Sequence, residues 1–224
     1  MKYFVSGIHT DAGKSYCTGW YARKLIEQGK SVVTQKFIQT GDIGISEDIE
    51  VHREIMETGL LPEDTTPLSI DGILDSNIAN ITAPLIFTHP CSPQLAAKID
   101  KRNIDLSLVD HASDLLDNRY DVVLIEGAGG LMVPIEDDFL TIDYIETRKI
   151  PLIMVVNSLL GSINHALLSF EAIKNREIQM PIVLYNHYFD TDELIADDTY
   201  NLIRRYLSRN FVDTLLLDVP CIVI

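Results

Sequence analysis

SGIHTDAGKS, residues 6–15, follows the apolar residues Tyr3, Phe4 and Val5 directly and precedes an amphipathic stretch. Glycines let a backbone curl so that its N–H groups converge on phosphate oxygens, while a lysine adds positive charge and a hydroxyl can hold Mg²⁺. The helix that follows offers the positive end of its dipole to the same anion. The order of strand, glycine loop, Gly-Lys-Ser and helix therefore predicts a phosphate-binding loop at the start of an α/β fold.

This loop has an unusual spacing. Five residues separate Gly7 from Gly13, one more than the common phosphate-loop pattern allows. The spacing therefore restricts the families to which the loop can belong.

Composition and net charge limit the classes of partner that the protein can bind. The chain has 224 residues, of which 46% are hydrophobic and 23% charged, and its formal net charge is −15. The apolar content supplies a full core. The acidic balance argues against nucleic acid or an anionic membrane as a general partner, although a few lysines in a cleft can still bind a nucleotide.

The cysteines and the N-terminus indicate a cytoplasmic protein. Cys17, Cys91 and Cys221 form neither a CxxC unit nor a metal pattern, which favours reduced thiols. The N-terminus enters a strand at once, with no basic segment before an apolar signal core. No apolar run approaches the ~18 residues of a membrane span.

The rest of the chain alternates apolar runs with helical patterns. This alternation predicts an α/β, P-loop NTPase-like fold with a mostly parallel central sheet and helices on both faces. The predicted strands are residues 3–6, 31–36, 121–126, 151–156 and 182–185, and the predicted helices are residues 14–28, 47–58, 105–118, 162–174 and 192–209. Residues 37–93 are less regular, but no repeat or linker interrupts the chain, so we expect a single domain over residues 1–224.

A second candidate site feature is VVLIEGAGG, residues 122–130, an apolar run that ends in Glu126 and continues into glycines. Ligands of open α/β sheets bind at the carboxyl ends of the strands. A carboxylate there is placed to hold Mg²⁺, which takes oxygen ligands. The alternative is a solvated glutamate at an ordinary strand end.

Lys36 and Asp48 follow the second strand. If the first two strands are neighbours, Lys36 lies beside the phosphate loop, where an ammonium can balance the charge of a transferring phosphoryl group. A surface lysine is the alternative. Asp48 opens the next helix, where an acidic residue either complements the helix dipole or, in the right context, binds a metal.

A fourth feature is LGSINHA, residues 160–166. Gly161, Ser162 and Asn164 open a helix whose free N–H groups form an anion site, suited to a substrate carboxylate. The alternative is simple N-capping by Ser162. Asn186, after the last predicted strand, either reads a base edge or caps the following loop.

The remaining histidines carry less information. His52, His89 and His111 have no metal-ligand spacing, so we expect them to be structural or solvated. No Ser-His-Asp or Cys-His arrangement is legible, and covalent nucleophilic catalysis is not indicated.

Together, these stretches resemble the dethiobiotin synthetases, the ATP-dependent enzymes of biotin biosynthesis. The family loop, roughly GTDTxVGKT, has the same wide glycine spacing as GIHTDAGKS. Further similarities are the strand end at Lys36, HPCSPQLAA at residues 89–97, IEGAGGLMVP at residues 125–134 and LGSINHALL at residues 160–168. The resemblance covers residues 2–220 and implies the P-loop fold predicted above.

The resemblance also implies a reaction. Family members convert 7,8-diaminononanoate, CO₂ and Mg-ATP into dethiobiotin, ADP and phosphate, through a carbamate and its mixed carbamic-phosphoric anhydride. It implies Mg²⁺ and ATP as cofactor and co-substrate. It further implies a homodimer with the substrate site at the interface.

The resemblance implies site residues as well. Those at the nucleotide would be Asp11, Ala12, Gly13, Lys14, Ser15, Tyr16, Glu126, Gly127, Gly129 and, as an adenine contact, Asn186. Those at the metal would be Ser15, Asp48 and Glu126. Catalysis would use Thr10, Lys14 and Lys36. The substrate would contact Lys36, Thr40, Gly161, Ser162, Ile163 and Asn164.

Two alternatives stay open. Amide-forming ligases of the same superfamily usually carry an extra glutaminase domain, for which 224 residues leave no space. Switch ATPases that position chromosomes or septa carry a signature lysine where this chain has His9. Both are therefore less favoured than the ligase that forms the cyclic urea.

Overall fold

A parallel sheet forms the centre of the computed structural model, which describes residues 1–67, 69–70, 73–74 and 80–221. Within these residues the sheet has six strands in the order β12-β11-β10-β1-β7-β2, all of them parallel. The predicted fold class is therefore confirmed. The prediction of a single domain remains a prediction.

The strands are β1 (Lys2–Gly7), β2 (Val32–Lys36), β3 (Gln39–Thr40), β4 (Ser69–Ile70), β5 (Ile73–Leu74), β6 (Ile86–Phe87), β7 (Val122–Gly130), β8 (Pro134–Glu136), β9 (Phe139–Leu140), β10 (Leu152–Asn157), β11 (Ile182–Asn186) and β12 (Leu215–Val219). The helices are α1 (Lys14–Glu27), α2 (Glu47–Met56), α3 (Pro93–Asp100), α4 (Leu106–Asp117), α5 (Thr141–Arg148), α6 (Ser162–Asn175) and α7 (Glu193–Asn210).

The inner strands are apolar because helices cover the sheet on both faces. Every residue of β10, LIMVVN, is buried, as is every residue of β11, IVLYN. Strands buried on both faces read as continuous apolar runs. The carboxyl ends of β1, β2 and β7 lie along one edge of this sheet, and that edge carries the functional residues described below.

The helix ends follow local capping chemistry. The Asp105 side chain accepts a hydrogen bond from the backbone N–H of Ser107, 3.0 Å away, at the start of α4. Asp192 accepts from two backbone N–H groups at the start of α7. Gly29, predicted to end α1, has φ +83°, a left-handed conformation that glycine adopts without strain.

The predicted elements differ from the observed ones in places. The third predicted strand was expected to end at Glu126, but β7 continues through the glycines to Gly130, where it pairs with Gly7 after an irregularity. Gly129, within this stretch, has φ +65°, a left-handed conformation that glycine adopts without strain. The sequence analysis missed β12, two helices of only eight residues, α3 and α5, and the strands of two or three residues, β3, β4, β5, β6, β8 and β9.

None of the helices in the described ranges is both long and apolar enough to cross a lipid bilayer.

Candidate active site

The predicted phosphate-binding loop, residues 6–15 and called the phosphate-type loop below, has contacts that leave space only for glycine at position 13. Gly13 ends the loop with φ +82°, and a Cβ there would lie 2.2 Å from Asn186 Nδ2. That amide donates a hydrogen bond to the carbonyl oxygen of Ala12 at 3.2 Å. Asn186 Oδ1 accepts from the backbone N–H of Tyr188. Asn186 thus supports the loop from β11 and also caps the turn that follows it.

Lys14 folds back over the loop. Its Nζ donates to the carbonyl oxygen of Thr10 at 2.9 Å, and its side chain is buried. Burial lowers the pKa of Lys14, and the nearby Lys36 lowers it further, against the opposing effect of Glu126. Because burial removes water from this ammonium, an anion that binds in the loop would stabilise its positive charge.

Ser15, in the first turn of α1, lies between two carboxylates. Its Oγ lies 2.6 Å from Asp48 Oδ1 and 3.0 Å from Glu126 Oε1. Asp48 is in the first turn of α2, where it complements the helix dipole. Because it also contacts Ser15, it has a second role at this site. The three side chains present one hydroxyl and two carboxylates to the same point, which is the set of hard oxygen donors that Mg²⁺ prefers.

Lys36 completes this cluster from β2. Strand β7 lies between β1 and β2, so the first two strands are not neighbours, although Lys36 still lines the same cavity as the loop. Lys36 is instead the register partner of Glu126, and its Nζ lies 2.9 Å from Glu126 Oε1 and also pairs with Asp48. Burial acts to lower the pKa of Lys36, but Glu126 and Asp48 outweigh it and raise the pKa.

Glu126 is fully buried, and its charge is balanced from two sides. Burial acts to raise its pKa, but the positive charge of Lys36 outweighs this and holds the pKa well below its usual range. The other carboxylate oxygen, Oε2, lies 2.7 Å from His52 Nε2. His52 was expected to be structural or solvated, and the sequence analysis did not predict its contact with Glu126. One feature of the sequence could have indicated that His52 lies near the site. His52 is four residues after Asp48 and therefore on the same face of α2.

Helix α2 is held against the sheet by a buried ion pair. Arg53 donates from two nitrogens to Asp64, at 2.8 Å each, and a third nitrogen donates to Thr34 Oγ1 at 2.7 Å. The helix also packs closely on α1, where a Cβ on Gly19 would lie 3.0 Å from Ile55 Cβ. These contacts fix the position from which Asp48 and its neighbours reach the loop.

A cavity of about 360 Å³ opens above the cluster. Its lining residues are Thr10, Asp11, Gly13, Lys14, Ser15, Tyr16, Lys36, Ile38, Gln39, Thr40, Asp48, Glu126, Ala128 and Gly129. The structure therefore brings together most of the predicted nucleotide and metal residues. The sequence analysis missed Ile38, Gln39 and Ala128, which lie on segments adjoining the predicted residues.

Other predicted residues lie outside this lining. Ala12 is a loop residue whose side chain is buried. Gly127 packs on the Phe4 ring, and its carbonyl oxygen accepts from Lys36 at 3.3 Å. Asn186 is buried and already hydrogen-bonded, so its adenine contact stays a prediction.

The start of α6 lies apart from the phosphate-type loop. Gly161 is the N-cap residue with φ +94°, and no side chain caps the helix. Ser162 is buried, and its hydroxyl donates to Asn157 Oδ1, so capping by Ser162 is not observed. Ile163 is half-buried and Asn164 exposed.

A second cavity, of about 400 Å³, lies between this helix and the loop. Its lining residues are Ile8, His9, Thr10, Gly130, Leu131, Met132, Val133, His165, Leu168, Ser169 and Ala172. Thr10 belongs to both cavities, which makes them adjacent.

Comparison with known proteins identifies the family. A family model described as an AAA domain matches residues 1–220. The ATP-dependent dethiobiotin synthetase BioD 2 of Pasteurella multocida is 43% identical over 213 residues, which cover 95% of this chain and 94% of the relative. The corresponding protein of Haemophilus influenzae is 47% identical over 86% of this chain and 94% of its own length. The chain belongs to the dethiobiotin synthetase family.

Membership in the dethiobiotin synthetases confirms the resemblance found in the sequence motifs and shows that the chain is an ATP-dependent ligase by family. Another relative, the ATP-dependent dethiobiotin synthetase BioD of Chlorobaculum tepidum, is 42% identical over 92% of this chain and 80% of its own length.

The fold of the chain is similar to that of two proteins of solved structure. A ParA family ATPase from Chlorobium tepidum has a TM-score of 0.53 at 15% identity, covering 98% of this chain and 84% of that one. Apo McdA from Cyanthece has a TM-score of 0.54 at 11% identity, with 97% and 84% covered. These similarities concern the fold alone.

Proposed function

We propose that the chain carboxylates 7,8-diaminononanoate with CO₂ and closes the ring to dethiobiotin, with conversion of ATP to ADP and phosphate. The observation that carries the proposal is the convergence of Lys14, Ser15, Lys36, Asp48 and Glu126 on one cavity, in a chain of the dethiobiotin synthetase family. The cavity combines a phosphate-type loop with a second, fully buried lysine.

The residues fit ATP and Mg²⁺. The N–H groups of the loop and Lys14 would hold the phosphates, and Ser15, Asp48 and Glu126 would hold the metal. Across the described residues no group of three or more His, Cys, Asp and Glu side chains is arranged to bind a metal, so water and phosphate oxygens would supply the remaining ligands. When bound, Mg²⁺ neutralises charge on the phosphates.

The reaction needs positioning more than a strong base. One substrate amine attacks CO₂ and loses a proton, which gives a carbamate. An oxygen of this carbamate attacks the γ-phosphorus as ADP leaves, and the second amine then attacks the carbonyl carbon as phosphate leaves. The carbamate oxygen is already anionic, so we infer that Lys36 balances the charge near the γ-phosphate and that Thr10 and Asp11 orient the reacting groups.

We place the aliphatic part of the substrate in the second cavity. Its lining includes Leu131, Val133 and Leu168 and shares Thr10 with the phosphate cavity, which suits an apolar chain that carries its amines toward ATP. The backbone N–H groups of Gly161, Ile163 and Asn164 would bind the carboxylate. The backbone N–H of Ser162 donates to the carbonyl oxygen of Leu159 at 2.8 Å, so Ser162 would hold this turn in place for the substrate. Thr40 would contact the amine end.

We also propose a homodimer with the substrate site at its interface. Leu160 is 93% exposed, and Leu168 and Met132 are exposed as well. Exposed apolar residues grouped near a cavity are typical of an interaction surface. A second copy that covers them would complete the substrate site.

A single domain over residues 1–224 and a cytoplasmic location complete the proposal. The main sheet draws on strands from β1 to β12, which supports one domain. Cys17, Cys91 and Cys221 are free thiols, which suits a reducing compartment.

The alternative is a partner-binding switch ATPase, which shares this fold. Against it stand the identity of over 40% to dethiobiotin synthetases and His9 in place of the signature lysine.

The test supplies ATP, Mg²⁺, diaminononanoate and ¹³C-labelled bicarbonate to the purified protein. We expect ATP consumption to depend on the diamine and mass spectrometry to detect a cyclic urea that carries the label. ATP turnover that ignores the diamine and yields no urea would instead support the switch ATPase.

A further inference from the structure

His52 links the candidate metal site to the interior of the protein. The ring is fully buried, with Nε2 2.7 Å from Glu126 Oε2 and Nδ1 3.0 Å from Thr34 Oγ1. Each of its two nitrogens therefore has one partner, and these partners stand on neighbouring strands, β7 and β2. Burial alone would not require the His52 ring to contact a carboxylate of the candidate metal site.

The partners of the two ring nitrogens differ in what they can do. An ionised carboxylate only accepts, so Nε2 carries the hydrogen that it donates to Glu126. Thr34 Oγ1 accepts from Arg53 at 2.7 Å and, as a hydroxyl, can either donate to or accept from His52 Nδ1.

The chain of hydrogen bonds ends on a rigid anchor. Arg53 is held by both oxygens of Asp64, and Asp64 also accepts from Thr82 at 2.7 Å. All of these side chains are buried. A continuous path therefore runs from Asp64 through Arg53, Thr34 and His52 to Glu126.

The consequence concerns the two oxygens of Glu126. His52 holds Oε2, and Oε1 alone faces Ser15 and Lys36. Without a donor at Oε2 the carboxylate would carry an unpaired buried oxygen and would rotate toward the lysine. The hydrogen bond from His52 to Oε2 therefore determines that Oε1 is the oxygen that faces the cavity.

We propose that His52 is a positioning residue that holds Glu126 so that Oε1 faces Ser15, and that it thereby strengthens the binding of Mg-nucleotide. The proposal rests on the proposed function only in taking Mg-nucleotide as the ligand. His52 itself does not line the cavity.

The experiment compares His52→Gln with His52→Asn. The Gln amide nitrogen lies as many bonds from the backbone as Nε2 and can still donate to Glu126, whereas the Asn amide reaches only the position of Nδ1. Nucleotide affinity is measured by calorimetry with the non-hydrolysable analogue AMPPNP, once with Mg²⁺ and once with EDTA. The control is Tyr144→Phe, which removes a 2.8 Å hydrogen bond to Asp110 away from the cavity.

We expect His52→Asn to weaken binding about tenfold with Mg²⁺ and less than about twofold in EDTA. His52→Gln and Tyr144→Phe should stay within about threefold of the native protein under both conditions. A folded His52→Asn with native affinity, an equal loss with and without Mg²⁺, or an equal loss in the Gln and Asn variants would each overturn the proposal.

If His52→Asn does not fold, Thr34→Val decides, with Thr34→Ser as its control. The valine removes the hydroxyl that holds Nδ1, so Mg-dependent affinity should fall while the serine keeps it. Equal affinities in this pair would overturn the proposal. A native protein that binds Mg-AMPPNP but forms no dethiobiotin would contradict the proposed function and leave the role of His52 standing.

Discussion

Lys36 and Glu126 are register partners on neighbouring parallel strands, and their side chains form an ion pair with Nζ 2.9 Å from Oε1. The same ammonium pairs with Asp48, so one lysine serves two carboxylates. Because these groups are mostly buried, the two carboxylates depend on the ammonium that contacts both of them when no metal is bound.

Replacement of Lys36 by Met should expose this dependence. Two carboxylates then lose their shared cation, so the free energy of unfolding should fall by up to ~3 kcal/mol in EDTA. Mg²⁺ should raise the unfolding temperature of Lys36→Met more than that of the native protein, because the metal relieves the same repulsion. Turnover should fall at least about tenfold. Thermal unfolding with Mg²⁺ and with EDTA measures the effect, and an equal response of both proteins would contradict the role of Lys36.

Lys14→Ala should abolish most turnover without loss of the fold. Lys14 is poised over the Thr10 carbonyl, and a charged hydrogen bond contributes ~1.5–3 kcal/mol, so we expect a loss of at least about tenfold. Lys30→Ala is the control, since Lys30 is exposed after α1 and should leave turnover unchanged. Steady-state kinetics with circular dichroism provide the measurement. Equal turnover in both variants would remove Lys14 from the site.

Gly13→Ala and Gly29→Ala form a matched pair. Both glycines have left-handed backbones, with φ +82° and φ +83°, but only at Gly13 would a Cβ collide, 2.2 Å from Asn186 Nδ2. Gly29→Ala should cost about 1 kcal/mol of backbone strain and keep nucleotide binding.

Gly13→Ala should cost more stability and also lose nucleotide binding, because the loop must move away from β11. Chemical denaturation and nucleotide titration measure both effects. Equal stability losses with nucleotide binding intact would show that the Asn186 contact does not shape the loop.

The sequence predicts what is local. The Gly-Lys-Ser loop, the apolar strands and the capped helices depend on neighbouring residues, and the structure contains them near the expected positions. The Lys36–Glu126 pair depends on strand order, which places β7 between β1 and β2. No local pattern encodes that order. The sequence predicts that His52 lies on the same helix face as Asp48, because the two are four residues apart. It does not predict the contact with Glu126 on β7, because that contact depends on tertiary packing.

Acid sensitivity should be traceable to Asp64. Burial acts to raise the pKa of Asp64, but its hydrogen bonds from Arg53 outweigh this and lower it. A carboxyl whose pKa is lower in the folded state stabilises the protein above its unfolded pKa of about 3.9, and this contribution is lost as the pH falls below that value. Asp64→Asn leaves the buried Arg53 without its charge partner, so at neutral pH it should lower the free energy of unfolding by ~3–5 kcal/mol.

The difference between the native protein and Asp64→Asn should shrink as the pH falls from about 5 to about 2, because protonated Asp64 resembles Asn. Urea denaturation across that range measures it. Asp100→Asn is the control, since Asp100 also has a lowered pKa but lies at the surface, where Thr88 is its main hydrogen-bond partner. Its effect at neutral pH should be much smaller, because no buried cation loses its partner. A difference for Asp64→Asn that stays constant with pH would mean that the charge of Asp64 does not stabilise the anchor of α2.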